Sequence, residues 1–339
     1  MKVMKVVEET NRLKEKNRNV ALDVLKFMAA FMITNCHLGP MYGKYAILAT
    51  GGWIGDSLFF FCSGFALFLK PMGGGNFFNW YKRRINRIYP SIISTAFLAC
   101  LFFRVVWSVV DIATASHFWF IYCIMAYYIV IYFISKYVSS DKILHIVALV
   151  CAITAGWWFF IYDKPEVTLY NGHPIRWLHS ISYMLIGAFL SMKRNEIKPG
   201  KSIKDIVLLV ILVALFYGIF VVSQKLNGPL ALIQYISMFP LFVAMLYFYK
   251  VASSEWVARL YKNKVVHFIV RVIGGLCLEI YLVQAFFITD KYNSIFPLNI
   301  VGVFLVIFIV AYLTRCFARL ISQTFNEAPY DWEKIISQY

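Results

Sequence analysis

Charge is scarce in this sequence and acid scarcer still: Asp and Glu number 17 against 33 Lys and Arg, and only 15% of the 339 residues are charged while 61% are hydrophobic. Soluble domains carry about 25% charge, so a mean hydropathy of +0.68 excludes that class and leaves an integral membrane protein. The seven cysteines (Cys36, Cys62, Cys100, Cys123, Cys151, Cys277, Cys316) form no CxxC pair and no loop cluster. Neither a zinc site nor a disulfide framework is indicated, and they read as small packing residues. No loop between apolar runs exceeds about twenty residues, which leaves no soluble catalytic domain and puts any chemistry inside the membrane bundle. No internal repeat is detectable, which weakens a repeat-built transporter. A cleavable signal peptide is not expected either. The first nineteen residues are charged, and the first apolar run holds Asp23 and Lys26 with no small-residue cleavage site at its end.

What remains is apolar runs. Ten of them, at 20–38, 47–69, 88–110, 117–135, 143–162, 175–192, 204–223, 229–249, 268–289 and 299–320, are each about long enough to cross ~30 Å of hydrocarbon as a helix. The predicted class is therefore all-α, a polytopic membrane helix bundle. With ten spans, 25 of the 33 cations fall on the side of the N-terminus and only Lys44, Lys164, Lys225 and Lys291 in the opposite loops. Basic residues accumulate in cytoplasmic loops, so both termini are expected in the cytoplasm. Three segments follow: 1–19, a frayed or interfacial cytoplasmic helix; 20–320, the transmembrane domain; and 321–339, a cytoplasmic tail. The +16 formal charge then speaks for topology and contact with anionic membrane lipids, not for nucleic acid.

Polar residues inside the runs are the candidates for function. His37 lies fourteen residues after Asp23 and eleven after Lys26, offsets that put all three on one helical face, about 60° and 40° from Asp23 for Lys26 and His37. Such a face does not look at lipid. An imidazole suits general base work near neutral pH; the plainer role is a hydrogen bond at headgroup level. Asp23 and Lys26, at i and i+3, are spaced to pair structurally or to orient a ligand together. The run Trp80-Tyr81-Lys82-Arg83-Arg84-Ile85-Asn86-Arg87-Ile88-Tyr89-Pro90 reads as a cytoplasmic loop entering the third span. It is either a positive-inside signal or, through Arg84 and Arg87 at i and i+3, two guanidinium forks for one anion such as a phosphate, with Arg83 facing headgroups. Span two, Gly51 to Phe65, reads by itself as ordinary packing. His117 and Trp119 open the fourth span as a possible interfacial belt. Glu279 is the deepest carboxylate and needs a proton or a cation, with Arg104 or Arg271 as candidate partners. Asn171, His173 and His179 form a weak outer-face polar group.

The order of these elements resembles the acyltransferase-3 family of bacterial membrane O-acyltransferases over most of the chain. Asp23, Lys26 and His37 match its first-span element, Phe59-Phe60-Phe61-Cys62-Ser63-Gly64-Phe65 its second, and Arg84-Ile85-Asn86-Arg87-Ile88-Tyr89-Pro90 its third. Trp119-Phe120 and Cys277-Leu278-Glu279-Ile280-Tyr281-Leu282-Val283-Gln284 follow in the same order. Three residues depart from the family pattern: Lys26 stands where Arg is usual, Cys277 where Ser is usual, and Gln284 where His is usual. The resemblance is to the short, membrane-only members, with no appended esterase-like domain expected.

The resemblance implies a short acyl-CoA, acetyl-CoA first, as donor from the cytoplasm, and a hydroxyl of a glycan or lipid-linked saccharide as acceptor. It implies no metal. Location in the cell inner membrane, multi-pass, goes with it. On this basis His37, Asp23 and Glu279 are expected to be catalytic. Lys26, Arg84, Arg87 and Tyr89 are expected to hold the donor, and Ser63, His117, Trp119, Tyr281 and Gln284 to meet the acceptor. A transporter of a polar or anionic solute and a non-catalytic partner in glycan assembly are the alternatives.

Overall fold

The first helix starts where Asn19 caps it, accepting a hydrogen bond from the Leu22 amide, and runs from Val20 to His37 (α1). In this computed structural model, residues 19–69, 76–161, 169–170, 174–200, 203–226, 228–325 and 329–337 are described. The expectations for residues 1–18, Asn171 and His173 lie outside them. Of the described residues 84% are helical and none is in a strand, which gives the all-α class. After α1 come α2 (Gly52–Phe68), α3 (Phe77–Phe103), a short α4 (Val109–Thr114), α5 (Trp119–Tyr137) and α6 (Ser140–Gly156). The chain continues through α7 (Pro174–Met192), α8 (Ile203–Lys225), α9 (Met238–Ala252), α10 (Glu255–Tyr261), α11 (Lys264–Gly275) and α12 (Cys277–Val283). It ends with α13 (Leu298–Thr324) and α14 (Trp332–Ile336).

Among the described residues seven helices are long and apolar enough to cross a membrane, or up to nine if two bent pairs each count as one span. The bent pairs are Gly39–Leu48 with α2, turned by 102°, and α11 with Cys277–Phe287, turned by 60°. All ten expected runs fall on these helices and on α7. That helix is not apolar enough to stand among the nine, because Arg176, His179 and three serines interrupt it. Thirteen of its nineteen residues are nevertheless buried, so it faces mainly protein and not lipid. Its contact with α2 is the most extensive in the fold and needs glycine on both sides. A Cβ on Gly64 would lie 1.9 Å from the Met184 carbonyl oxygen, and one on Gly187 would lie 2.1 Å from that of Phe61. Lipid-facing positions sit mostly on α8, α13 and α6, whose exposed residues are chiefly Val, Leu, Ile and Phe.

The third span departs from the sequence reading. The basic run is not a loop: Asn76 caps a helix that begins at Phe77 and carries Lys82 to Arg87 on its first turns, with Pro90 inside it. The cations are tolerated in a helix because α3 presents them to a polar cavity at one end of the bundle and to its rim.

Candidate functional site

Helices α1, α2, α3, α5 and α13 and the α11–α12 break converge on a cavity of about 760 Å³ at the end of the bundle where α1 begins. Asp23 and Lys26 come from α1, Ser63 and Cys62 from α2, Arg83, Arg84, Arg87 and Ser91 from α3, and Arg315 and Arg319 from α13. The break between α11 and α12 turns Cys277 and Glu279 into the same wall. Six cations therefore face two carboxylates, and one of those carboxylates is already neutralised.

Glu279 is 1% exposed and clamped. Arg315 donates from Nε to Oε1 at 2.7 Å and from the terminal guanidinium nitrogen to Oε2 at 2.6 Å, while Ser91 donates to Oε1 at 2.6 Å. A bidentate fork of this kind is what permits a buried carboxylate to stay charged. The partner is thus Arg315, not Arg104 or Arg271. Arg104 closes α3 in a left-handed conformation at its far end, and Arg271 lies near His267. Asp23 accepts from the Tyr261 hydroxyl at 3.1 Å. The Lys26 ammonium has no hydrogen-bond or ion-pair partner among the described residues. Arg84 is held flat by Trp80 and Tyr128, 5.0 and 5.9 Å from their ring centres, and its Nε is buried with no partner among the described residues. Arg83 was expected at headgroups; it lines the cavity instead.

His37 ends α1 eleven residues beyond Lys26, ~16 Å along the axis, and is exposed. Its Nδ1 lies 2.8 Å from the Ile33 carbonyl oxygen. A carbonyl only accepts, so Nδ1 carries the proton and the Nε2 lone pair is left to take another. Within electrostatic range is Asp56 of α2, which forms a 2.5 Å ion pair with Arg176 of α7. The Arg176 guanidinium also sits 3.6 Å above the Trp119 ring. Tyr281 lies in range of the same pair and packs on Phe118 and Phe120.

The expected residues thus divide. Asp23, Lys26, Ser63, Arg84, Arg87 and Glu279 meet at the cavity. His37, Trp119 and Tyr281 gather around the Arg176–Asp56 pair. Gln284 is buried, its Oε1 without a partner among the described residues. Like Gln284, Tyr89 and His117 are brought to neither place. Tyr89 is two residues past Arg87, about 200° around the helix, and its hydroxyl donates to the Ala113 carbonyl at 2.6 Å. His117 packs at a tilt against Trp107 beside Asp111 in an exposed cap, where hydrogen bonds from Ser108 and Ser116 lower the Asp111 carboxyl pKa to about 2. His179 is a core imidazole facing the Leu169 carbonyl, not an outer-face group.

Sequence reasoning passed over Asp56, Arg176, Ser91, Arg315 and Arg319. Asp56 is a lone acid in an apolar run and needs a cation, which was a usable signal. Arg315 and Arg319, at i and i+4, share a helical face just as Arg84 and Arg87 do at i and i+3, yet were read only as topology.

No curated protein and no solved structure matches the chain significantly. The family profile described as an acyltransferase domain, that of the acyltransferase-3 family, matches residues 19–316. With that match covering all of α1 through most of α13, and with the basic cavity and His37 both inside it, the chain belongs to the acyltransferase-3 family.

Proposed function

We propose that the chain is a membrane O-acyltransferase that moves an acyl group, acetyl first, from cytoplasmic acyl-CoA to a hydroxyl of a cell-envelope glycan or lipid-linked saccharide. The family match supports acyl transfer. One observation carries the choice of donor: a cavity walled by five arginines and a lysine, one of whose guanidinium nitrogens is buried and unpartnered among the described residues. Cations arranged this way suit the phosphates of a nucleotide thioester, and a phosphate oxygen at Arg84 Nε would satisfy that orphaned donor. Arg84, Arg87 and Lys26 then hold the donor's phosphates. Its thioester arm runs along α1 toward His37. The basic end of the bundle faces the cytoplasm, the termini lie there, and the host is the inner membrane, where anionic lipids meet the outer basic residues.

At the other end His37 Nε2 accepts the proton of the acceptor hydroxyl as its oxygen bonds to the thioester carbonyl carbon. The carbon–sulfur bond then breaks, and the leaving thiolate takes that proton from the imidazolium. The CoA thiol and an ester are the products. Asp56, paired with Arg176, lies in range to stabilise the imidazolium as it forms. Asp23 and Glu279 are assigned to holding the cavity's charged wall rather than to proton transfer.

The test uses membrane vesicles from cells that make the chain, given acetyl-CoA labelled in its acetyl group. Alkali-labile label should enter envelope carbohydrate with the wild type and be lost with His37→Ala at equal protein abundance. Undiminished transfer by that variant contradicts the proposal, whereas label moving across the membrane without ester formation points to a transporter.

A further inference from the structure

Between the basic cavity and His37 the bundle narrows to a second void of about 10 Å³, walled by Ile33, Phe59, Phe120, Leu278 and Tyr281. Phe59, Phe120 and Leu278 line both spaces, so the two adjoin. Ile33, on the wall of the second, holds the His37 ring through its carbonyl. The volume is about that of one water-sized group, and the wall is apolar. Its rings are locked together: Phe59 meets Phe120 edge-on at 4.7 Å, and Phe120 meets Tyr281 at 5.8 Å between centres. A small group of methyl size suits such a space. A longer chain has to displace interlocked aromatic rings, and packed interiors resist added methylenes.

We infer that this apolar collar seats the acyl group of the donor and limits its length, with Ile33, Leu278 and Tyr281 as specificity-determining residues. The inference rests on the acyl-transfer reading above and adds to it the size of the acyl group accepted. Each methylene that a hydrophobic pocket must exclude is worth about 10-fold to 200-fold in selectivity. Propionyl transfer should therefore fall about tenfold or more below acetyl, and butyryl further.

The vesicle assay, run with acetyl-, propionyl-, butyryl- and hexanoyl-CoA labelled in the acyl group, reads this directly. The wild type should show the steep decline. Ile33→Ala and Leu278→Ala, each normalised to its own acetyl rate, should bring butyryl to within about threefold of acetyl; Ile33→Val and Leu278→Val give smaller shifts in the same direction should the alanine variants fail to accumulate. Equal wild-type rates at all four lengths overturn the collar while leaving acyl transfer standing, as does a chain-length profile that none of the variants alters. Transfer from none of the four thioesters overturns both readings.

Discussion

Where α1 begins, Asp23 and Lys26 face about 760 Å³ of space walled by arginines; towards its other end Ile33 lines about 10 Å³ of apolar void, and His37, one turn further on, lies in range of a closed Arg176–Asp56 pair. The cations at the first end are only partly committed. Arg315 serves Glu279, but Arg84 keeps an orphaned nitrogen and Lys26 has no partner among the described residues. At the second end the Arg176 guanidinium is committed to a carboxylate at its edge and an indole across its face. A cation without a counter-ion recruits an anion, and one already paired with a carboxylate fixes its neighbours in place. The proposal follows from that contrast: binding at one end, proton transfer at the other.

The largest expected effect comes from removing the proton acceptor. General base catalysis contributes about 10²-fold to 10⁴-fold, so His37→Ala should lower kcat by that order while the thermal midpoint of the detergent-purified protein barely moves, the side chain being exposed. A midpoint that falls with activity would make His37 structural and erase the distinction between the two ends.

Next is Arg315→Ala, which leaves Glu279 charged, buried and without its fork. Breaking a buried pair from one side costs about 3–5 kcal/mol, so the protein should accumulate poorly or unfold at clearly lower temperature, with Glu279→Gln in the same background restoring part of the loss. If the double variant is no better than the single one, the clamp is not what holds α12 to α13.

Arg84→Ala and Arg87→Ala sharpen the contrast from the binding side. Each should raise the apparent KM for acetyl-CoA about tenfold with a smaller change in kcat, as loss of one charge-assisted contact to phosphate does, and the effect should shrink at high salt for the exposed Arg87. Equal losses in kcat and kcat/KM would move these residues into the chemical step. The smallest effect is expected from Tyr89→Phe, which removes one hydrogen bond to the Ala113 carbonyl at about 1 kcal/mol of stability and should leave donor KM within about twofold.

Much of this was legible in the chain. Ten apolar runs became ten helical regions because an apolar stretch of this length has few options other than a helix in hydrocarbon. Asp23 and Lys26, like Arg84 and Arg87, reached the cavity because a spacing of three residues keeps two side chains on one helical face. The same rule, applied to Tyr89, would have put it on the far side of α3. The α3 boundary was missed because cations in a row look like a loop when nothing in the local sequence says that a polar cavity awaits them. Glu279 finding Arg315, and Asp56 finding Arg176, are meetings between distant helices that helical periodicity does not encode. The α2–α7 contact was likewise hidden, since Gly64 and Gly187 reveal their purpose only when the two backbones are seen to touch.

Equilibrium binding of labelled acetyl-CoA to purified His37→Ala protein and to the Arg84→Ala/Arg87→Ala double variant, beside transfer by each, separates the two ends most directly. His37→Ala should bind the donor as the wild type does and transfer nothing, while the arginine double variant should bind at least about tenfold more weakly. Loss of donor binding on removal of His37, with binding intact after removal of both arginines, would contradict the division of labour along α1.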